Sequence, residues 1–230
     1  MVFTTASPAS LFAFAALLIL ILAALFFGTH FAAPKQTSKT IVLVTIWLGI
    51  STFVVESGIL RSHPMPLVPL FFLLMNAAAV VFSFSPLGRN LAIGLPLQAL
   101  VGFQGFRLFL ELILHSWAEQ GTIPTTMTWN GQNFDIVSGI AALVLATFAA
   151  RWKVAAWVAN LLGIVLLLNV IRVVVLSSPL PFAWKVDPPL QLIFYFPYFL
   201  IVPVCIGGAL AGHILLTRAL LLKQNTSASG

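Results

Sequence analysis

The chain has 230 residues, 60% of them hydrophobic and only 7% charged, with a formal net charge of +6 and a mean hydropathy of +1.09. That composition excludes a soluble globular domain, which needs far more polar surface, and a single cysteine, Cys205, excludes intrachain disulfides and multi-cysteine metal sites. The eleven Lys and Arg stand singly between apolar runs, so the high pI reads as membrane topology and contact with anionic lipid headgroups rather than nucleic-acid binding.

A hydrocarbon core of about 30 Å takes roughly 20 helical residues. Alternating strand patterns are absent, so the expectation is an all-α integral membrane bundle of about seven helices. The N-terminus lacks the basic region of a cleaved signal peptide, and residues 8–28 read as a retained first span. The second covers 40–60, the third 66–86, the fourth 91–117, the fifth 134–152 and the sixth 154–177. "SSPLPFAWKVDPP" (177–189) cannot be helical throughout. The seventh span runs over 189–222 with kinks expected at Pro197 and Pro203. Residues 1–222 thus form a single transmembrane domain, and "KQNTSASG" (223–230) reads as a disordered cytoplasmic tail.

Charge sets the orientation. One set of loops and the C-terminus carries Lys35, Lys39, Arg89, Arg151, Lys153, Arg218 and Lys223 with no acidic residue. The opposite set carries Arg61 and Lys185 beside Glu119, Asp135 and Asp187. The positive-inside rule then puts the N-terminus outside and the C-terminus in the cytoplasm of a bacterial inner-membrane protein.

Within the fourth span, "RLFLELILHSW" spaces Arg107, Glu111 and His115 four residues apart on one helical face. Arg107 falls near mid-depth, Glu111 about 6 Å further out and His115 about 12 Å further out. Glu56 on the second span, Asn169 and Arg172 on the sixth, and Tyr195 and Tyr198 on the seventh fall in the same outer half. Fifteen uncharged residues separate Asp135 from Arg151. They make about 22 Å of helix, short of the core. The fifth helix is therefore expected to start earlier, drawing "NGQNFD" (130–135) into the interface. Asp135 would then lie in or near the first turn, favoured by the helix dipole, with Asn133 capping the helix or facing the cluster.

An unpaired Arg or Asp at mid-bilayer costs roughly 2.5–3.5 kcal/mol, so several in one layer must compensate each other or meet water. The expected site is Arg107, Glu111, His115, Asn133, Asp135, Asn169 and Arg172. The plainer alternatives are a structural Arg107–Glu111 ion pair, a Glu56 paired with Arg61 or Arg172, and an interfacial His115. His213 is expected at the cytoplasmic end of the seventh span, more than roughly 20 Å from His115 by helix length, which excludes a haem held by both. "GFQG" (102–105) and "GALAG" (208–212) read as close helix contacts through small residues.

The stretch "FRLFLELILHSWAEQGTIPTTMTWNGQNFDIVSGI" resembles a pattern, FRxxxExxxH…PxxMTxxGxNFDI, shared by a family of uncharacterised bacterial multi-pass membrane proteins. "LLLNVIRVVVLSSPLPF" and "FPYFLIVPVCIGGALAGHILLTRAL" are similar to the same family. The resemblance covers residues 106–219 and implies that the polar positions recur together; it carries no activity.

Three functions follow as expectations. In the first, the site binds or transports a small polar or anionic molecule, or protons. Arg107 and Arg172 would face the anion, and Glu111, His115 and Asp135 would be titratable partners. In the second, the chain is an intramembrane enzyme acting on a lipid or lipid-linked substrate. No cofactor is evident; a divalent metal on Glu111, His115 and Asp135 is the alternative. In the third, it is an accessory subunit whose polar layer meets a partner helix, either in a homo-oligomer or in a larger membrane complex.

Overall fold

Serine and proline set several helix starts. Ser7 accepts a hydrogen bond from the Ser10 amide (3.4 Å) with Pro8 in the first turn of α1 (Pro8–Ala32). Ser85 does the same for Gly88 (3.1 Å) ahead of Pro86 in α5 (Pro86–Gly94). Between them run α2 (Thr37–Glu56), the short α3 (Ile59–Ser62) after the left-handed Gly58, and α4 (Pro64–Phe84). After α5 come α6 (Leu97–Phe103), α7 (Phe106–Glu119), α8 (Ile136–Ala149), α9 (Lys153–Ser177) and α10 (Gly207–Asn225). This computed structural model describes residues 3–225. Of the expected tail, residues 226–230 lie outside the described residues.

The architecture is an all-α bundle. Among the described residues, six segments are long and apolar enough to cross a bilayer, which is consistent with a multi-pass integral membrane protein. Large apolar side chains such as Phe12, Phe27, Phe53, Leu73 and Val165 point outward. Hydroxyls on these helices bond back to their own preceding turn, as between Thr29 and Leu25 O (2.8 Å) and between Ser51 and Trp47 O (2.7 Å). That arrangement satisfies them where water is scarce. The last segment, Tyr198–Leu222, is the centre of the bundle, 72% buried against at most 50% for the others.

Three spans differ from their sequence expectation, each for a backbone reason. The fourth is not one helix. It divides into α6 and α7 at Gln104–Gly105, and residues 91–94 belong to α5. The fifth helix does not start early: α8 has 14 residues, and its first turn follows Asp135 directly. The missing length is supplied by a compact loop, 120–135, folded into the bundle with Ile123, Met127, Thr128 and Asn133 buried. Its backbone is satisfied internally, Gln132 N donating to Thr126 O (3.1 Å) and Asn133 N to Thr128 O (3.2 Å). A Cβ on Gly131 would overlap Thr125 O, so only glycine lets the loop close this tightly. Non-helical backbone at membrane depth is tolerated where protein covers it.

The seventh segment does not begin as a helix at Pro189. Pro188, Pro189, Pro197 and Pro203 each lack an amide hydrogen. The chain answers with a 3-10 turn at Leu192–Phe194, another at Tyr198–Ile201 and a π turn at Val202–Ile206 before α10.

Small residues let the inner helices approach. Gly139 lies so close to the Leu108 backbone that any Cβ would overlap it, and Gly212 abuts Phe103 and Gln104. The "GFQG" and "GALAG" segments therefore do meet in part, through Gly212. The apolar core falls into two clusters. One gathers Phe14, Leu114, Trp117, Tyr198 and Phe199, and the other Leu91, Val101, Ala156, Leu216 and Leu220. Gln104, Arg107, Asn160 and His213, on four segments, are all buried, and hydrogen bonds join Arg107, His213 and Asn160.

Candidate functional site

Arg107 is 1% exposed and Asp135 4% exposed, and they form a forked ion pair. Arg107 Nε donates to Asp135 Oδ2 (2.6 Å) and Nη2 donates to Oδ1. Nη1 donates to Gly163 O (3.1 Å) and meets His213 Nε2 at 3.0 Å. Since a guanidinium only donates, Nε2 accepts, and the other ring nitrogen, Nδ1, donates to Asn160 Oδ1 (2.9 Å). Asn160 Nδ2 donates to Thr217 Oγ1 (2.7 Å), and that hydroxyl donates to His213 O (2.9 Å). Asp135 also accepts from Ser138 Oγ (2.9 Å). Nearly every donor and acceptor in this line is used, and Gly163 makes room for it: a Cβ there would overlap the His213 ring and stand 3.2 Å from Arg107 Nη1.

Glu111 sits one turn away and does not pair with Arg107. Its Oε1 accepts from Asn133 Nδ2 (2.7 Å), which also donates to Met127 O (3.1 Å). Asn133 Oδ1 in turn accepts the Asp135 amide (3.1 Å), so this residue both fixes the entry to α8 and faces the cluster. Glu111 Oε2 is buried with no partner. Arg107, Glu111 and Asp135 line a cavity of about 390 Å³ whose other walls are almost wholly apolar. Among the described residues, Glu111 is the only cavity-lining residue with a buried, unpartnered side-chain oxygen.

No family model, curated protein or solved structure matches the chain.

Of the expected site residues, Arg107, Glu111, Asn133 and Asp135 come together. His115 does not join them. Each four-residue step turns the helix about 40° past a full revolution, so two steps rotate His115 about 80° away from Arg107. It stacks on Trp129 (4.1 Å between ring centroids) and approaches Glu119 at 3.5 Å. Asn169 and Arg172 also stand apart. The buried stripe of α9 is Asn160, Gly163, Leu167, Val170, Val173 and Ser177; 169 and 172 fall one position off it. Arg172 donates to Asn169 Oδ1 (2.8 Å) and lies over the Trp184 ring (5.6 Å), and Asn169 Nδ2 donates to Gln132 O (2.8 Å).

The alternative metal site on Glu111, His115 and Asp135 is not assembled, since His115 faces elsewhere. Among the described residues no group of three or more His, Cys, Asp or Glu is placed to hold a metal ion. Glu56 is exposed and pairs with neither Arg61 nor Arg172; Arg61 lies over the Tyr195 ring (5.5 Å).

Sequence reasoning missed His213, Asn160, Gln104 and Ser138. Asn160 carried the same signal as Arg107, a polar side chain inside an apolar run. A seventh span starting at Pro189 puts His213 at the cytoplasmic end. With Tyr198–Leu222 as the crossing segment, His213 lies within one turn of its middle. Replacing His213 by Ala leaves Arg107 Nη1 and Asn160 each short of a partner. It is expected to cost about 1–3 kcal/mol, read as a lowered unfolding midpoint in detergent. An unchanged midpoint would mean the ring is not part of the network that holds Arg107.

Proposed function

We propose that the chain is a seven-span inner-membrane protein, N-terminus outside, whose bundle holds a binding site with Glu111 as its polar contact. The count of seven takes α6 with α7 as one broken crossing and loop 120–135 with α8 as another. Contacts at the ends support the orientation. Arg218 donates to Ser83 O beside the end of α4, and Gly94 lies against Ala32 at the end of α1, gathering basic residues on one side. On the opposite side the Ser7 amide reaches Gln120, and Thr126 meets Ser177 (2.7 Å).

The observation that carries the reading is the buried, unpartnered Glu111 Oε2 on a cavity wall. A polar atom left so is costly in a protein interior, and a ligand or a transferable proton relieves it. An anionic ligand is the less favoured choice. Arg107 is already neutralised by Asp135, and Arg172 is on another face. The FRxxxExxxH…PxxMTxxGxNFDI pattern is proposed to mark a family built around this pocket. Its Gly131 closes the loop, and its Asn133 and Asp135 position Glu111 and Arg107.

Dicyclohexylcarbodiimide, an apolar reagent that adds to carboxyl groups, tests the site. Peptide mass spectrometry is expected to find the adduct on Glu111 of the folded protein and none on Asp135, whose oxygens are engaged. Glu111→Gln is expected to lose the adduct while changing stability by less than about 1 kcal/mol, because an amide oxygen can accept the Asn133 bond. Labelling of Glu111 only after denaturation would refute an accessible site.

A further inference from the structure

The cavity next to Glu111 lies in a gap. Its walls come from α4 (Val68, Phe72, Leu73) and α9 (Leu167, Val170, Val174), two helices with little direct contact. The π turn at Val202–Ile206 forms its back, presenting Val202, Cys205 and Ile206. Arg107 and Glu111 are buried at the closed end, whereas the exposed lining residues are Pro69 and Leu73 on α4 and Phe182 in the loop after α9. Pro69 and Leu73 belong to a segment long and apolar enough to cross a bilayer, so in the seven-span reading a molecule entering between α4 and this loop arrives from the outer half of the membrane.

We propose that this cavity takes a single-chain amphiphile with a neutral hydroxyl head, the chain lying between α4 and α9 and the hydroxyl bonded to Glu111 Oε2. The proposal rests on the reading that Glu111 is the ligand contact, and it adds the class of ligand. A volume of about 390 Å³ lies within the usual range for small-molecule sites, roughly 300–1,000 Å³. The wall offers a chain almost nothing but apolar surface. The head group is chosen by elimination at the closed end. Arg107 already makes four donor contacts, two of them to Asp135, and Asp135 accepts from Arg107 and Ser138. An acidic head would set a further negative charge beside two carboxyl groups whose one nearby cation is engaged. A bare hydrocarbon would leave Oε2 as it is. A hydroxyl both donates and accepts, so it satisfies Oε2 whether that carboxyl carries a proton or not.

Photolabelling in lipid nanodiscs tests this. The probe is a medium-chain primary alcohol with a diazirine on its chain; the comparators are the fatty acid and the alkane of the same length. Light-dependent adducts are expected on Leu110, Val174, Cys205 or Ile206. The alcohol is expected to saturate at a concentration about tenfold below that of the acid or the alkane. Glu111→Leu is expected to remove that preference while alkane labelling persists, which also shows that the variant is folded. Val174→Trp, which narrows the wall away from Glu111, is expected to suppress labelling by all three. Adducts confined to outward residues such as Val165 and Leu168, or an acid that saturates as early as the alcohol, would overturn the proposal. If the carbodiimide reaches Glu111 but the alcohol does not compete with it, the ligand class is wrong and the site stands. If the carbodiimide fails as well, the site reading falls with it.

Discussion

Asp135→Asn is expected to destabilise the protein by about 3–5 kcal/mol, the cost of removing one member of a buried ion pair. The Arg107 guanidinium would remain at the closed end of the cavity with one carbonyl oxygen in place of a carboxylate. Gly163 O and His213 stay in reach, but neither carries charge. Thermal or denaturant unfolding in detergent, followed by the fluorescence of the six tryptophans, gives the number. Arg107→Lys is expected to lose nearly as much, since an ammonium cannot reproduce the forked contact to Asp135 together with the bonds to Gly163 and His213. Removing both charges is the sharper experiment. Arg107→Met combined with Asp135→Leu is expected to be less damaging than the sum of the single losses by about 2 kcal/mol or more, because no charge is left stranded. Strict additivity would show that the two side chains do not depend on each other, and the description of a coupled pair would fail.

Gly139→Val carries the second large effect. A Cβ at 139 falls on the Leu108 backbone, 2.8 Å from its Cα, and backbone cannot turn aside as a side chain can. Helices α7 and α8 would have to separate, which also pulls Asp135 away from Arg107. A loss of about 3 kcal/mol or more is expected, at the upper end of overpacking effects. Gly49→Ala is the fitting control: nothing lies within 4 Å of a Cβ there. In the interior of α2 an alanine is expected to be neutral or to stabilise by up to about 1 kcal/mol. A midpoint for Gly139→Val as little lowered as that for Gly49→Ala would show that α7 and α8 tolerate separation.

Composition alone was enough to read a helical bundle with long apolar segments, because lipid leaves a backbone few other options. What hydropathy could not see was where helices stop being helices. Windows of apolar residues look alike whether they are helix, 3-10 turn or buried loop, so α6 and α7 merged into one expected span. Likewise the Pro189–Ile206 stretch reads as kinked helix, although its three prolines, Pro189, Pro197 and Pro203, disrupt it. Loop 120–135 was the hardest part, since its burial depends on a glycine at 131 and on bonds between residues several positions apart.

The cluster was legible where chain distance is short. Arg107 and Glu111 lie on one face of α7, and Asn133 and Asp135 stand at the entry to α8. Helical wheels failed His115, because two turns of drift are enough to move it out of the group. They failed Asn169 and Arg172 because the stripe that faces inward on α9 is fixed by its neighbours. His213 looks peripheral only if its helix starts at Pro189; the crossing segment starts at Tyr198. Side chains that meet across distant segments are set by packing, and no local pattern encodes that.

The buried line from Arg107 through His213 to Asn160 has a consequence for assembly. A smooth aliphatic helix has little to tell it how far to slide along its neighbour, since one leucine contact resembles the next. Axial slip of α10 by a single turn, about 5.4 Å, would keep most of its oily surface covered. The same slip would take His213 away from both Arg107 and Asn160 at once. These few polar side chains therefore act as a detent, choosing one vertical alignment of the bundle from several that hydrophobicity alone would accept.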